Sequence, residues 1–182
     1  MSDEMDPILL IASPQMSDPM FRQTVVLVWH RDEEGAIGVV INRSMEHRLL
    51  DVVEFEEEVD AERYGSTCIS WGGPVEGATG TVVTTDDIAE EEGWRLSCGL
   101  SITRSQDALS RCVANGSPFL LCLGYAGWGP GQLDQELADG GWLWTDCSPE
   151  LLFSTPAAAR YAMALATLGL SSDTVLMTPA EA

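Results

Sequence analysis

Pro118 to Trp144 reads PFLLCLGYAGWGPGQLDQELADGGWLW, and the fold turns on how this stretch is read. Phe119 to Leu123 is an apolar run of strand length, rich enough to be covered on both faces. Gly124, Gly127, Gly129 and Gly131 follow, interleaved with Tyr125 and Trp128, and predict a sharp glycine loop lined by aromatic rings. Gln132 onward has helical spacing, with Leu133 and Leu137 on one face and Gly140-Gly141 as the stop. The stretch therefore predicts a core strand, a tight reversal and a short helix. Within the reversal, Gly127 or Gly129 is expected to have positive φ or no room for a Cβ, and Trp128 to be at least half buried.

Upstream, Ser105 predicts the N-cap of a helix that ends at Asn115-Gly116. Trp94 to Thr103 predicts two strand pieces about a turn or bulge at Cys98-Gly99. Thr67 to Trp71 and Thr81 to Thr85 read as strands, separated by Gly72-Gly73-Pro74-Val75. Met45 to Phe55 shifts to helical spacing, with Leu49, Val52 and Val53 inward, and the acidic run Glu54 to Glu62 reads as solvated. Thr24 to His30 and Ala36 to Asn42 form a hairpin signal joined by RDEEG, and Ile8 to Ala12 is a further strand. Between them, Asp18-Pro19 suits the start of one helical turn.

Downstream, Trp142 to Thr145 predicts a strand and Pro149 to Phe153 a loop or turn. Thr155-Pro156 opens a last helix that Gly169 closes, its buried face being Ala158, Tyr161, Ala162 and Leu165. Thr174 to Met177 predicts a terminal strand. No internal repeat, linker or boundary divides the chain, so one domain over residues 1–182 is expected.

Charge narrows the function classes. The net charge is −20, and all nine basic residues are arginines. Such a field repels a polyanion, so no nucleic-acid partner is expected. The N-terminus, MSDEMDP, lacks the basic region of a signal peptide, and no apolar run approaches the roughly 18–20 residues of a membrane span. A cytoplasmic protein without a membrane partner is expected. The five cysteines are odd in number and scattered, without a CxxC, and are expected as reduced, mostly buried thiols.

Four segments carry a resemblance: LLIASPQMSDPMFRQTVV, GAIGVVINRS, WGGPV with GTVV after it, and LGYAGWGPGQLDQEL with WL shortly beyond. Together they resemble the YqgE/AlgH family, a widespread bacterial group, from about Ile8 to Gly169. The resemblance implies an α+β fold whose mainly antiparallel, bifurcated sheet curls into a pseudo-barrel with flanking helices. It brings no assigned reaction, cofactor or DNA-binding motif, although some members have been linked to gene regulation. The chain departs from the family pattern at His30-Arg31, where many relatives carry Glu-His, and at Thr84 or Thr85, where many carry histidine.

The candidate site gathers around the glycine loop. Backbone N–H groups at a helix start favour anions, yet no lysine follows and the spacing matches neither a P-loop nor a dinucleotide fingerprint. Asp134 and Glu136 already complement the helix dipole there. Tyr125, Gly127, Trp128 and Gly129 are the loop candidates. Asp18, Arg22, Asn42, Arg43, Gln132 and Glu136 join them as polar candidates from the segments that carry the resemblance. The arginines either pair with Asp18 or Glu136 and orient loops, or grip a ligand carboxylate bidentately. No GxSxG elbow and no His or Cys pair at helical ligand spacing appears, so no metal and no cofactor is expected. A binding or regulatory protein acting on a small molecule or protein partner through residues 124–131 is the leading reading. An enzyme using the Asp/Arg/Asn/Gln set is the alternative.

Overall fold

The computed structural model describes residues 6–171, and the strand expected at Thr174 to Met177 lies outside them. Strand β1 (Ile8–Ala12) runs antiparallel to β2 (Val25–Asp32), which turns through Glu33-Glu34 into β3 (Gly35–Val40). The hairpin is longer than the β-branched runs alone suggest, because Arg31 and Asp32 still pair with Ala36 and Gly35. Then follow β4 (Ser44–Arg48), the single turns α1 (Leu49–Val52) and α2 (Ala61–Tyr64), β5 (Cys68–Trp71) and β6 (Val75–Thr84). A short hairpin of β7 (Gly93–Arg95) and β8 (Ser101–Thr103) leads to α3 (Gln106–Asn115). The chain continues through β9 (Phe119–Trp128), α4 (Gln132–Ala138), β10 (Trp142–Asp146), α5 (Pro149–Phe153) and α6 (Ala157–Thr167).

The strands form one mainly antiparallel sheet in the order β10-β1-β2-β3-β9-β6-β8-β7, curled into a half-barrel. The sheet forks at β9. Its first half, Phe119 to Leu123, pairs with β6 on one side and in parallel with β5 on the other, and β4 extends that branch. Its second half, Ala126 to Trp128, pairs with β3. Gly124, at φ +75, is where the strand passes from one branch to the other. The WGGPV segment crosses β9 at this point, backbone against backbone. A Cβ on Gly72 would lie 2.2 Å from the Gly124 carbonyl oxygen, and one on Gly124 would lie 2.3 Å from that of Gly73. Glycine at both crossing segments is thus a steric requirement.

This corrects the expected loop over 124–131. Pairing of Tyr125 with β6 and of Ala126 to Trp128 with β3 draws this segment into the sheet, so only Gly129 to Gly131 remain as a turn, with Gly131 at φ +72. Gly127 and Gly129 are neither in the left-handed region nor crowded; the nearest atoms to an added Cβ lie 3.9 and 3.8 Å away. Trp128 is buried, as expected.

Strands β1 to β3 are covered on both faces, which explains their unbroken apolar runs. Leu9, Ile11, Val25, Leu27, Val39 and Ile41 face α5 and α6, while Leu10, Val26, Val28 and Val40 pack with Trp128, Leu133 and Trp142. A third cluster joins Leu49, Tyr64, Ile69, Val82, Leu109 and Leu121 under α3. Ser105 caps α3 by accepting from the Ala108 N–H at 3.2 Å, and Gly116 ends it in the left-handed region.

Three local readings differ. Met45 to Phe55 is a strand and one helical turn, because Ser44 and Arg48 pair with Ser70 and Cys68, and Val52 is left exposed. Tertiary pairing outweighs the local spacing there. Pro149 to Phe153 is helical rather than loop. The buried face of α6 contains Arg160, Ala164 and Leu165 instead of Ala158 and Ala162. Arg160 turns inward because its guanidinium donates to the carbonyls of Ile41, Leu152 and Thr155, which satisfies an otherwise costly burial.

Candidate functional site

The residues of the Met16 to Gln23 loop are held by side chains that directly follow β3. Asp18 accepts from the Met20 N–H at 2.8 Å, and its carbonyl accepts from Arg22 at 2.9 Å, giving a capped turn where Asp18-Pro19 predicts one. Asn42 bridges the loop's return: its Oδ1 accepts from Val25 N–H and its Nδ2 donates to the Gln23 carbonyl, both at 2.8 Å. Arg43 donates to the carbonyls of Met20 and Arg22 and lies 5.1 Å from the Trp71 ring centroid. Desolvation first, and the neighbouring Arg22 second, push the Arg43 guanidinium below its ordinary pKa. Neither arginine pairs with Asp18 or Glu136. Arg43 orients the loop by gripping its carbonyls instead.

The loop carries Phe21 into a row of rings. Phe21 lies 6.2 Å from Trp71 and meets Trp142 edge-on at 5.9 Å, and Trp142 meets Trp128 edge-on at 6.1 Å. Glu136, on the first turns of α4, accepts from both indoles through Oε2, at 3.0 Å from Trp128 and 2.8 Å from Trp142. Its Oε1 accepts from Gln132 Nε2 at 2.9 Å, and Gln132 Oε1 accepts from the Gly129 N–H at 3.0 Å. One carboxylate thus ties the end of β9, the helix α4 and the start of β10 together.

Beside this network lies a cavity of about 370 Å3. Of the sequence-selected residues, Asp18, Gly127, Trp128, Gln132 and Glu136 line it. Arg22, Asn42, Arg43, Tyr125 and Gly129 do not. Asn42 and Arg43 support the loop from behind, Gly129 belongs to the turn, and the Tyr125 ring packs against the core with the Arg104 guanidinium 5.4 Å from its centroid. Sequence reasoning missed Met16, Phe21, Asp139, Gly141 and Trp142, which complete the lining. Phe21 and Trp142 sit inside segments that carry the family resemblance, and that was the signal by which they could have been included.

The lining has a definite chemistry. Three carboxylates, from Asp18, Glu136 and Asp139, stand with Phe21, Trp128, Trp142 and the Met16 thioether, and no basic side chain is among the lining residues. Such a wall disfavours an anion and favours a positively charged guest, which gains from carboxylates and ring faces alike. A wider groove of about 1000 Å3 lies between α1, α3 and the β6–β9 branch, lined by Leu50, Val53, Phe55, Leu109, Leu121 and Arg104 among others. None of the sequence-selected candidates lines it.

The chain matches the AlgH-like family model (DUF179) over residues 9–173. It is 37% identical over 167 residues to a UPF0301 protein of Ralstonia nicotianae, covering 89% of this chain and 87% of that protein. It is 36% identical over 182 residues to a UPF0301 protein of Caulobacter vibrioides, covering 96% and 92%. Its structure resembles the solution structure of the AlgH protein from Pseudomonas aeruginosa, with a TM-score of 0.75, 35% identity and coverage of 94% and 92%. A crystal structure of a Corynebacterium diphtheriae protein shares the fold at a TM-score of 0.74, with 21% identity over 95% of this chain and 92% of that one.

Proposed function

This chain belongs to the AlgH-like family, and we propose that it is a binding protein whose cavity beside Trp128 takes a small organic cation, an amine or guanidinium compound. The observation that carries the reading is the lining itself: three carboxylates and four apolar or aromatic side chains, without a base. A ring face contributes roughly 0.5–1 kcal/mol to an exposed cation and more when the pair is desolvated. The carboxylate that accepts both indole N–H groups adds negative potential to those rings. The overall charge of −20 raises the local concentration of cations in the same direction.

The same balance argues against a polyanion as partner. Arg31, Arg95 and Arg111 are engaged with Asp134, Asp87 and Glu92, Arg43 grips loop carbonyls, and Arg160 is buried. A calorimetric screen of the full chain against small amines, guanidines, carboxylates and phosphates tests the reading. Saturable binding confined to the cationic compounds and weakened by salt supports it. Saturable binding confined to the anionic ones overturns it.

A further inference from the structure

The wider groove shares no lining residue with the cavity beside Trp128. Its floor is Val82, Leu121 and Leu123 of the β6–β9 ladder, and its walls are Leu109 of α3 and Val53 and Phe55 beyond α1. Val52, which also lines it, stays 42% exposed among the described residues. A second hollow of about 460 Å3 adjoins the groove at Phe55, Glu56 and Gln106, which line both. Gln106 Nε2 donates to the Glu54 carbonyl at 2.7 Å and holds that segment against α3. The two hollows follow α3 from Gln106 to Ala114, roughly 12 Å at the helical rise of about 1.5 Å per residue.

The charge around this apolar trough is mostly of one sign. Asp51, Glu54, Glu56, Glu57, Glu58 and Asp107 line it against two guanidiniums. Of those, Arg111 is paired with Glu92, and Arg104 lies over the Tyr125 ring. An apolar trough under an acidic rim complements an apolar stripe flanked by basic side chains. The chain's own ends have the wrong sign: residues 1–5 and 172–182 contain Asp3, Glu4, Asp173 and Glu181 and no base. A second copy would bring a further net charge of −20.

We propose that the trough is the docking site of a basic amphipathic helix from a partner protein. The mode follows from the backbone beneath it. Val82 pairs with Thr103 on one side and Leu121 on the other, and Leu123 pairs with Gly80 and Trp71. The floor thus presents side chains and leaves no ladder for an added strand at these residues. A helix satisfies its own backbone groups and needs none. Apolar residues at i, i+3, i+4 and i+7 span about 11 Å, which matches the trough. Lysine or arginine beside that stripe meets the exposed rim glutamates, which steer and orient the partner.

The test titrates the 15N-labelled full chain with three synthetic peptides of about 18 residues. One has leucine at those spacings and lysine elsewhere, one has glutamate in place of lysine, and one scrambles the lysine peptide so that no apolar face forms. The lysine amphipath should bind saturably, shift the amides of Leu50, Val53, Phe55 and Leu109, and weaken with salt. The scrambled peptide should bind about tenfold more weakly, and the glutamate peptide not at all. Val52→Asp and the triple variant Glu54→Gln/Glu56→Gln/Glu57→Gln change exposed side chains only, and each should cost about tenfold in affinity. Equal binding of the scrambled peptide, binding of the glutamate peptide, shifts confined to Trp128 and Trp142, or unchanged affinity in Val52→Asp overturns the proposal. Nuclear Overhauser contacts in the free chain between Leu50 or Leu123 and residues 172–182 also overturn it, by giving the trough to the chain's own end. A dimer that Val52→Asp dissolves overturns it in favour of a second copy.

Discussion

Trp128 and Trp142 stand edge to face at 6.1 Å and donate their indole N–H groups to the same oxygen of Glu136. The two tryptophans lie on strands that pair with opposite ends of the β1–β3 unit, so this carboxylate joins parts of the sheet that share no ladder. The arrangement makes Glu136 a fastening group first and a wall of the cavity second.

Removing that carboxylate leaves two buried indole donors without an acceptor, at about 1–3 kcal/mol each. Glu136→Ala should therefore lose about 3 kcal/mol in a urea melt. Glu136→Gln, which keeps one accepting oxygen, should lose about 1 kcal/mol. A Glu136→Ala midpoint equal to wild type would remove the carboxylate from the account of the fold.

The crossing of WGGPV over β9 makes a second, sharper prediction. Gly124→Ala places a Cβ against the Gly73 carbonyl in a left-handed residue, so it should lose at least about 2–3 kcal/mol or fail to fold. Gly127→Ala and Gly129→Ala meet only ordinary van der Waals neighbours and should change stability by no more than about 1 kcal/mol. Denaturant midpoints of the three variants check the ranking, and a Gly127 or Gly129 variant weaker than Gly124→Ala would contradict it.

Much of this was legible in the residues. The apolar runs of β1 to β3, the Ser105 cap and the helix after Gly131 follow from local spacing and capping chemistry, and the family resemblance supplied the curled sheet. The aromatic-glycine segment was misread because its conformation is set by β3, about ninety residues away in sequence, and not by its own glycines. The same long-range cause converts Met45 to Arg48 from expected helix to strand. For the site, Asp18, Trp128, Gln132 and Glu136 were reachable because they sit in recognisable segments. The charge of the cavity lining was not: Arg22 and Arg43 left open either loop-orienting ion pairs with Asp18 or Glu136 or a grip on a ligand carboxylate, whereas Arg43 is occupied by loop carbonyls and neither arginine lines the cavity.

Acid should weaken one identifiable contact. The Arg111 guanidinium, followed by the Ser105 hydroxyl, holds Glu92 below its ordinary pKa despite some desolvation. A carboxylate depressed in the folded state contributes stability above its unfolded value, about 4.3, and loses it as the pH falls through the folded value. The melting temperature between pH 5 and pH 3 should therefore fall less steeply in Arg111→Gln than in wild type. Parallel curves would show that the pair contributes nothing measurable.

The most direct measurement of the central claim follows the backbone amide and the six tryptophan indole N–H resonances by 15N-edited NMR during titration with the strongest amine found by calorimetry. The account predicts saturable shifts at Trp128 and Trp142, no shift at the exposed Trp94, and loss of affinity in Asp18→Asn without loss of fold. Saturable shifts centred instead on Leu50, Val53 and Leu121, with both indoles unmoved, would contradict it and assign the ligand to the wider groove.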